Sequence, residues 1–533
     1  MRRRSNLVSS LKFTLFLWLL SLQQQGIASN HHQQQDTDDI VNVTLSSRQD
    51  PVVIKPEFTG TNILYWIDVK NDWTSGLVPG QLSQLGIKTL RYPGGEVGDN
   101  YDWESNRIER KDQFPREAKT EDERNQRLDY RQFLSFAQQA GIKNIFFVVN
   151  LEGACFQPGD IHKNVEKYAE SAVRWVAAVK KDGYHVAYWE IGNESYLRSA
   201  CPFSAHEYAA ALKVFYAKMK AADPSIKIGA VGPAALHGDD ALGYADAIGT
   251  EATGKIHQAI QNGNFNLCER ENREKCKHLL ATQDSGSGVP QGWWETVVSE
   301  AGESFDFAVI HRYKLAGIKK SSKSQPESLN EKLRELKNFI EAKKGSHIEL
   351  ALTEWNTSLG THSRHGNTLS ETRHSIEMVK LIGEYLEGGV DYALYWPFRN
   401  PSVPFSLVGD TGFSMSAKVI QAFNAVKKSS LCDAQYGGNV DDIYLLCTEN
   451  DGSTGLLVIN QATKDRRVFI HTRRPIQSIL KIQSISGDQS GSAAPVSYTL
   501  KPEGVIITVP SEAVITVDAP YRDGQLDSGV SGY

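Results

Sequence analysis

From about residue 57 onward, short apolar runs alternate with stretches in which apolar positions recur every three or four residues. The runs are Phe58–Leu64, Ile87–Tyr92, Ile145–Asn150, Val186–Ile191, Ile226–Val231, Phe305–His311, Ile348–Glu354 and Tyr392–Trp396. Each is continuous, the pattern of a strand covered on both faces. Between them lie amphipathic segments, among them Tyr130–Ala140, Asn164–Lys181, Ala205–Ala222, Leu329–Lys343 and Ser370–Leu386. Strand followed by helix, repeated this way, predicts an α/β fold, a (β/α)8 TIM barrel. An open doubly wound sheet is the competing arrangement, but no glycine fingerprint follows the first run.

Past residue 416 the period changes. A last helix is expected over Ala417–Lys427. Short strands follow at Ile443–Cys447, Thr454–Ile459, Arg467–His471, Ile476–Ile482, Val496–Leu500, Val505–Val509 and Ala513–Val517. Turn residues separate them, which predicts a C-terminal β-sandwich domain. Apolar positions within 40–56 predict one or two strands that join it. The resulting plan is a barrel over 57–416 with an insertion at 232–304, a sandwich over 417–520 and a tail over 521–533. The insertion carries Gly292-Trp293-Trp294. Those two indoles either stack on a ligand ring or pack the inserted loop onto the barrel.

The first 28 residues read as a signal peptide rather than as fold. Arg2, Arg3 and Arg4 precede an apolar core from Phe13 to Leu22, and Gly26-Ile27-Ala28 places cleavage after Ala28. An uncleaved anchor is the alternative. Residues 29–37 are a polar tail. Export fits an even number of cysteines: Cys155, Cys201, Cys268, Cys276, Cys432 and Cys447. Local pairs Cys268/Cys276 and Cys432/Cys447 leave Cys155 with Cys201; buried free thiols are the alternative. No CxxC pair suggests zinc. A formal net charge of -5 offers no footprint for nucleic acid. Sequons begin at Asn42, Asn193 and Asn356, and the one at Asn193 should be inaccessible.

Chemistry is expected at two strand tips. Tyr188-Trp189-Glu190-Ile191-Gly192-Asn193-Glu194 presents Glu194 after the fourth run, and Leu350-Ala351-Leu352-Thr353-Glu354 presents Glu354 on the seventh. Residues at the C-terminal ends of barrel strands converge on one mouth. Two carboxyl groups facing each other there, one protonated and one ionised, are what glycosidic bond cleavage needs.

Trp189-Glu190-Ile191-Gly192-Asn193-Glu194 and Leu352-Thr353-Glu354-Trp355 resemble the acid/base and nucleophile motifs of clan A retaining glycoside hydrolases. Leu90-Arg91-Tyr92-Pro93-Gly94-Gly95 is similar to the motif after the second strand in that clan's α-L-arabinofuranosidase family, which joins a barrel to a sandwich. The resemblance implies Glu194 as acid/base, Glu354 as nucleophile and Asn193 on the sugar hydroxyl beside the anomeric carbon. It implies Arg91 and Tyr313 beside Glu354, Trp396 as the floor of the sugar subsite, and no metal or organic cofactor. His311 is either part of the site or a hydrogen-bonded core histidine. The chain departs from the family twice: Glu96 stands where an Asn is usual, and the first strand ends in Asn62-Ile63-Leu64-Tyr65-Trp66 without the family's acidic residue. Both bear on which sugar is held, and Glu96 would raise a neighbouring carboxyl's pKa. The expectation is therefore a secreted retaining glycosidase acting on carbohydrate, arabinofuranosidase-like. A β-xylosidase, glucuronidase or endo-glycanase of the same clan remains open, as does a non-catalytic carbohydrate-binding barrel.

Overall fold

The computed structural model describes residues 40–109, 126–197, 203–236, 292–313, 328–357, 371–401, 405–410, 412–438, 440–485 and 495–522. The expected signal peptide, the polar tail, most of the insertion, Cys201, Cys268 and Cys276 lie outside the described residues.

Eight parallel strands close a barrel: strand 1 (Thr59–Asn62), 2 (Thr89–Tyr92), 3 (Asn144–Val149), 4 (Tyr188–Ile191), 5 (Lys227–Val231), 6 (Phe307–Tyr313), 7 (Glu349–Asn356) and 8 (Tyr392–Tyr395). Each falls on one of the eight apolar runs, and strand 8 pairs back onto strand 1. The open doubly wound sheet is thereby excluded. Strands 6 and 7 run two residues further than their apolar runs, through Tyr313 and Asn356, because polar residues at the barrel mouth continue the ladder.

Helices cover the outside. Ile161–Lys181 starts at Asp160, whose carboxylate accepts from the His162 amide, and buries Val165, Tyr168, Ala169, Ala172, Trp175, Val176 and Val179 along one stripe. Ala205–Ala222 opens with a capping box between Ser204 and Glu207. Trp293 and Trp294 open helix Trp293–Ala301 and are buried; their indole N–H groups donate to the carbonyls of Val231 (3.0 Å) and Pro233 (2.8 Å). Both rings pack, so of the two readings the packing one holds. Among the described residues no helix is long and apolar enough to cross a membrane.

Nine strands form the second unit, in the order Lys481–Ile485, Ala513–Pro520, Ser453–Asn460, Ile443–Glu449, Ser430–Gly437, Ile40–Ser47, Arg466–His471, Gly504–Val509 and Tyr498–Lys501. The sheet folds over its own apolar core, which takes Val43 from one side and Leu456, Val458 and Ile515 from the other, making a β-sandwich. Ile40–Ser47 joins it as expected, between Ser430–Gly437 and Arg466–His471. The opposite face, with Leu446, Leu457 and Val514, merges into the barrel's core.

Two details differ from the sequence reading. Ser430–Gly437 is a strand that the reading missed. The expected strand Ile476–Ile482 is displaced to Lys481–Ile485, with Ile476 instead making an isolated bridge to buried Tyr521. Helix Met415–Val426 packs on helices Leu77–Leu85 and Glu371–Glu387, and Asn424 Nδ2 donates to the Leu85 carbonyl at 2.8 Å. It also packs on the sandwich strands Ser453–Asn460 and Ala513–Pro520, so it lies between barrel and sandwich. Cys432 and Cys447 form a disulfide between adjacent strands, and Cys155 is also disulfide-bonded. Asn42 is exposed, whereas Asn193 and Asn356 are buried and closed to glycosylation in the folded chain.

Candidate active site

The barrel's mouth is organised by a buried cation. Arg91, on strand 2, is fully buried and donates in four directions: Nε to Glu190 Oε2 (2.9 Å), Nη1 to Glu354 Oε1 (2.6 Å) and Asn62 Oδ1 (3.1 Å), and Nη2 to Asn193 Oδ1 (2.9 Å). One planar fork on strand 2 thus orients side chains from strands 1, 4 and 7 and from the turn after strand 4. Its two carboxylate neighbours hold its pKa above the ordinary value against the desolvation of burial.

Glu354 reaches Arg91 from an irregular stretch of strand 7. Leu352 pairs with Ile310 but Glu354 pairs with His311, so Thr353 is an extra residue on strand 7 at this point. Such a bulge re-aims the side chain that follows it. Oε1 of Glu354 accepts from Arg91, and Oε2 accepts a short hydrogen bond from the Tyr313 hydroxyl.

Glu194 stands three residues beyond strand 4. The turn is tight: Gly192 has φ +82°, and a Cβ there would lie 2.4 Å from Ser195 Oγ. Glu194 itself has φ +49°, a left-handed conformation that costs a non-glycine residue about 1–2 kcal/mol. Burial pushes its carboxyl up to about 8, and the exposed Glu96 carboxylate pushes in the same direction, while Arg91 opposes both. One carboxylate oxygen of Glu194 and one of Glu354 lie within 4.8 Å of each other.

His311, on strand 6, sits between the pair. Nδ1 is 2.9 Å from Glu194 Oε1 and 3.8 Å from Glu354 Oε2, and Nε2 is 3.1 Å from Thr353 Oγ1. Desolvation pushes its pKa down to about 4, so the ring is neutral at pH 7. It is both a buried, hydrogen-bonded histidine and a neighbour of both carboxyl groups. Trp396 follows strand 8 and packs with Leu64 and Tyr313 beside Glu354; a Cβ on Gly95 would lie 2.4 Å from its ring. Glu96 projects from the first turn of the short helix Gly95–Gly98. All eight residues singled out in the sequence are thus gathered at the C-terminal mouth of the barrel.

Residues 81–262 match the family model described as Alpha-L-arabinofuranosidase 1 domain. Over that stretch the chain is similar to the α-L-arabinofuranosidases. The matched stretch holds Arg91, Asn193 and Glu194 but ends before Glu354. No curated protein matches the chain. Among solved structures it is similar in fold to the family 51 α-L-arabinofuranosidase AbfB from Bifidobacterium longum (15% identity, TM-score 0.61, covering 90% of this chain and 99% of that one). It is similar to the bifunctional glucanase-xylanase CelM2 from a metagenome library (15%, TM-score 0.59, 91% and 99%). It is also similar to a GH30 endoxylanase from Clostridium papyrosolvens C71 (13%, TM-score 0.53, 90% and 100%).

Four residues in or around the arginine network had no role in the sequence reading. Glu190 lies in the quoted motif, and a carboxylate inside an apolar run was a visible sign of a buried partner. Burial pushes its carboxyl up to about 7 against the pull of Arg91. Asn62 and Thr353 are uncharged and look like ordinary strand residues. Asp99 accepts from the amides of Leu151, Glu152 and Asn193, contacts that no local pattern announces.

Glu194, His311 and Glu354 each bring a ligand atom within 4.8 Å of the others, a spacing open to a metal ion. The donor set argues otherwise. Glu354 already accepts from Arg91 and Tyr313, both ring nitrogens of His311 have partners, and a guanidinium stands beside the would-be cation.

Proposed function

We propose that the protein is a secreted retaining glycosidase that removes α-L-arabinofuranosyl-type residues from a carbohydrate by double displacement. The observation that carries this reading is the pairing of two buried carboxyl groups, within 4.8 Å, in opposite surroundings. Glu194 is held protonated up to about pH 8 by burial, whereas Glu354 is charge-paired with Arg91 at 2.6 Å. A spacing of about 5 Å favours retention over inversion.

In the first step the Glu354 carboxylate attacks the anomeric carbon as its bond to the leaving oxygen breaks. Glu194 gives its proton to that oxygen, leaving a glycosyl ester on Glu354. In the second step water attacks the same carbon, Glu194 takes the water's proton, and Glu354 leaves as a carboxylate. Asn193, oriented by Arg91 through its Oδ1, faces the hydroxyl next to the reacting carbon. Trp396 supplies an apolar face for the ring. Export is supported by the basic and apolar N-terminus and by the disulfides.

One observation favours a second reading, a glycosidase of the same clan with another sugar, such as a β-xylosidase, glucuronidase or endo-glycanase. The first strand contributes Asn62 to the arginine network and no acid to the subsite, and Glu96 occupies the rim.

A panel of arabinofuranosides, xylosides, glucuronides and plant polysaccharides separates the two by the sugar released, and proton NMR of the first-formed product reports its anomeric configuration. Release of arabinose with retention is expected. Inversion would overturn the mechanism, and no product from any substrate would favour the non-catalytic barrel.

A further inference from the structure

Asp99 is a buried carboxylate whose side-chain hydrogen bonds, among the described residues, all come from backbone amides. Oδ1 accepts from Leu151 N (2.7 Å) and Glu152 N (2.8 Å), at the exit of strand 3. Oδ2 accepts from Asn193 N (2.8 Å), at the exit of strand 4. Among the described residues no cation pairs with it. Three converging N–H donors call for a group that only accepts, which a carboxylate is and an amide is not.

Its surroundings leave little slack. Asp99 ends the short helix Gly95–Gly98, and a Cβ on Gly98 would come within 2.8 Å of Val148 on strand 3. A Cβ on Gly192 would lie 3.5 Å from Asp99 Oδ2. Among the described residues the turn it grips has two backbone bonds, Gly192 N to Val149 O (3.1 Å) and Leu197 N to Glu194 O (2.7 Å). Glu194, next to the gripped amide, has its backbone in the left-handed region.

We propose that Asp99 is a positioning residue for the acid/base: it clamps the Asn193 amide and thereby fixes the left-handed backbone from which Glu194 meets the leaving oxygen. This rests on the reading of Glu194 as proton donor. Asp99 touches no reacting atom. Its burial also raises its own carboxyl to about 6, as expected of an acceptor held away from water.

The test compares Asp99→Asn with wild type on two glycosides of the sugar that wild type releases, one with a 4-nitrophenyl leaving group and one with an alkyl group. A nitrophenolate needs little protonation; an alkoxide needs it fully. We expect kcat/KM, which reports the bond-breaking first step, to fall by about 10²-fold on the alkyl glycoside, the scale of an ångström-sized misplacement. The loss of kcat/KM on the nitrophenyl glycoside should be only a few-fold. Equal losses on the two, tracking the folded fraction, would make Asp99 merely structural and overturn the proposal. Glu194→Ala serves as control: if it shows no leaving-group dependence, the acid/base reading fails, whereas dependence in that control without dependence in Asp99→Asn defeats the clamp alone. Should Asp99→Asn not fold, hydrogen exchange on wild type decides. The Asn193 amide is expected to be the slowest from Gly192 to Leu197, and rapid exchange there would reject the clamp.

Discussion

Arg91 Nη1 and Glu354 Oε1 lie 2.6 Å apart although 263 positions separate the two residues in the chain. The guanidinium that makes this bond also binds Glu190, Asn62 and Asn193, so the carboxylate on strand 7 and the turn after strand 4 share one rigid support.

Removing that support should be costly. Arg91→Ala leaves two buried carboxyl groups without their cation, and breaking a buried pair in this way costs about 3–5 kcal/mol. Arg91→Lys keeps the charge but cannot reproduce the four-way fork, and should lose activity more than stability. Urea unfolding and kcat/KM for both variants test this; a loss under about 1 kcal/mol in Arg91→Ala would show that the network does not stabilise the barrel.

Activity should fall on the alkaline side. Glu194 must be protonated to act, and its pKa of about 8 keeps it so at neutral pH. The kcat/KM profile should therefore decline as pH rises through about 8. Glu96→Gln removes a like charge that raises this value, so the alkaline limb should move to lower pH. A limb that stays in place would take Glu96 out of the field at Glu194.

The same shift has a sign for stability. A carboxyl raised from 4.5 to about 8 on folding makes the folded state bind the extra proton. Its contribution is complete below the unfolded value and is lost as pH rises between the two; Glu190, raised to about 7, acts in the same direction. Glu194→Gln should thus gain stability relative to wild type above pH 8 and little below pH 4, by thermal melts across that range.

Gly95→Ala should damage substrate binding. A methyl 2.4 Å from the Trp396 ring cannot be accommodated without moving the ring or the helix Gly95–Gly98. Its φ of +60° adds strain. KM should rise with only modest loss of thermal stability; an unchanged KM would remove Trp396 from the subsite.

Cys432→Ser should destabilise the sandwich by about 3 kcal/mol, the chain-entropy value for a loop closed over 15 residues. Melting with and without a reductant measures it, and the variant should lose the reductant's effect at this bridge.

The sequence by itself determined the order and number of the barrel strands, because continuous apolar runs between amphipathic helices have one common solution, a parallel sheet buried on both faces. It also pointed to Glu194 and Glu354, since a carboxylate ending an apolar run sits at a barrel mouth. Hydrophobic period has nothing to say about hydrogen bonds between residues far apart, so other features waited for the tertiary structure. The extra residue Thr353 on strand 7, the placement of Glu190 and Asn62 on Arg91, and the three amides on Asp99 all depend on strands that meet only after the barrel closes. The protonation of Glu194 was likewise decided in three dimensions. Its raised pKa comes first from burial, and burial is a property of what packs around a side chain, not of its neighbours in the chain.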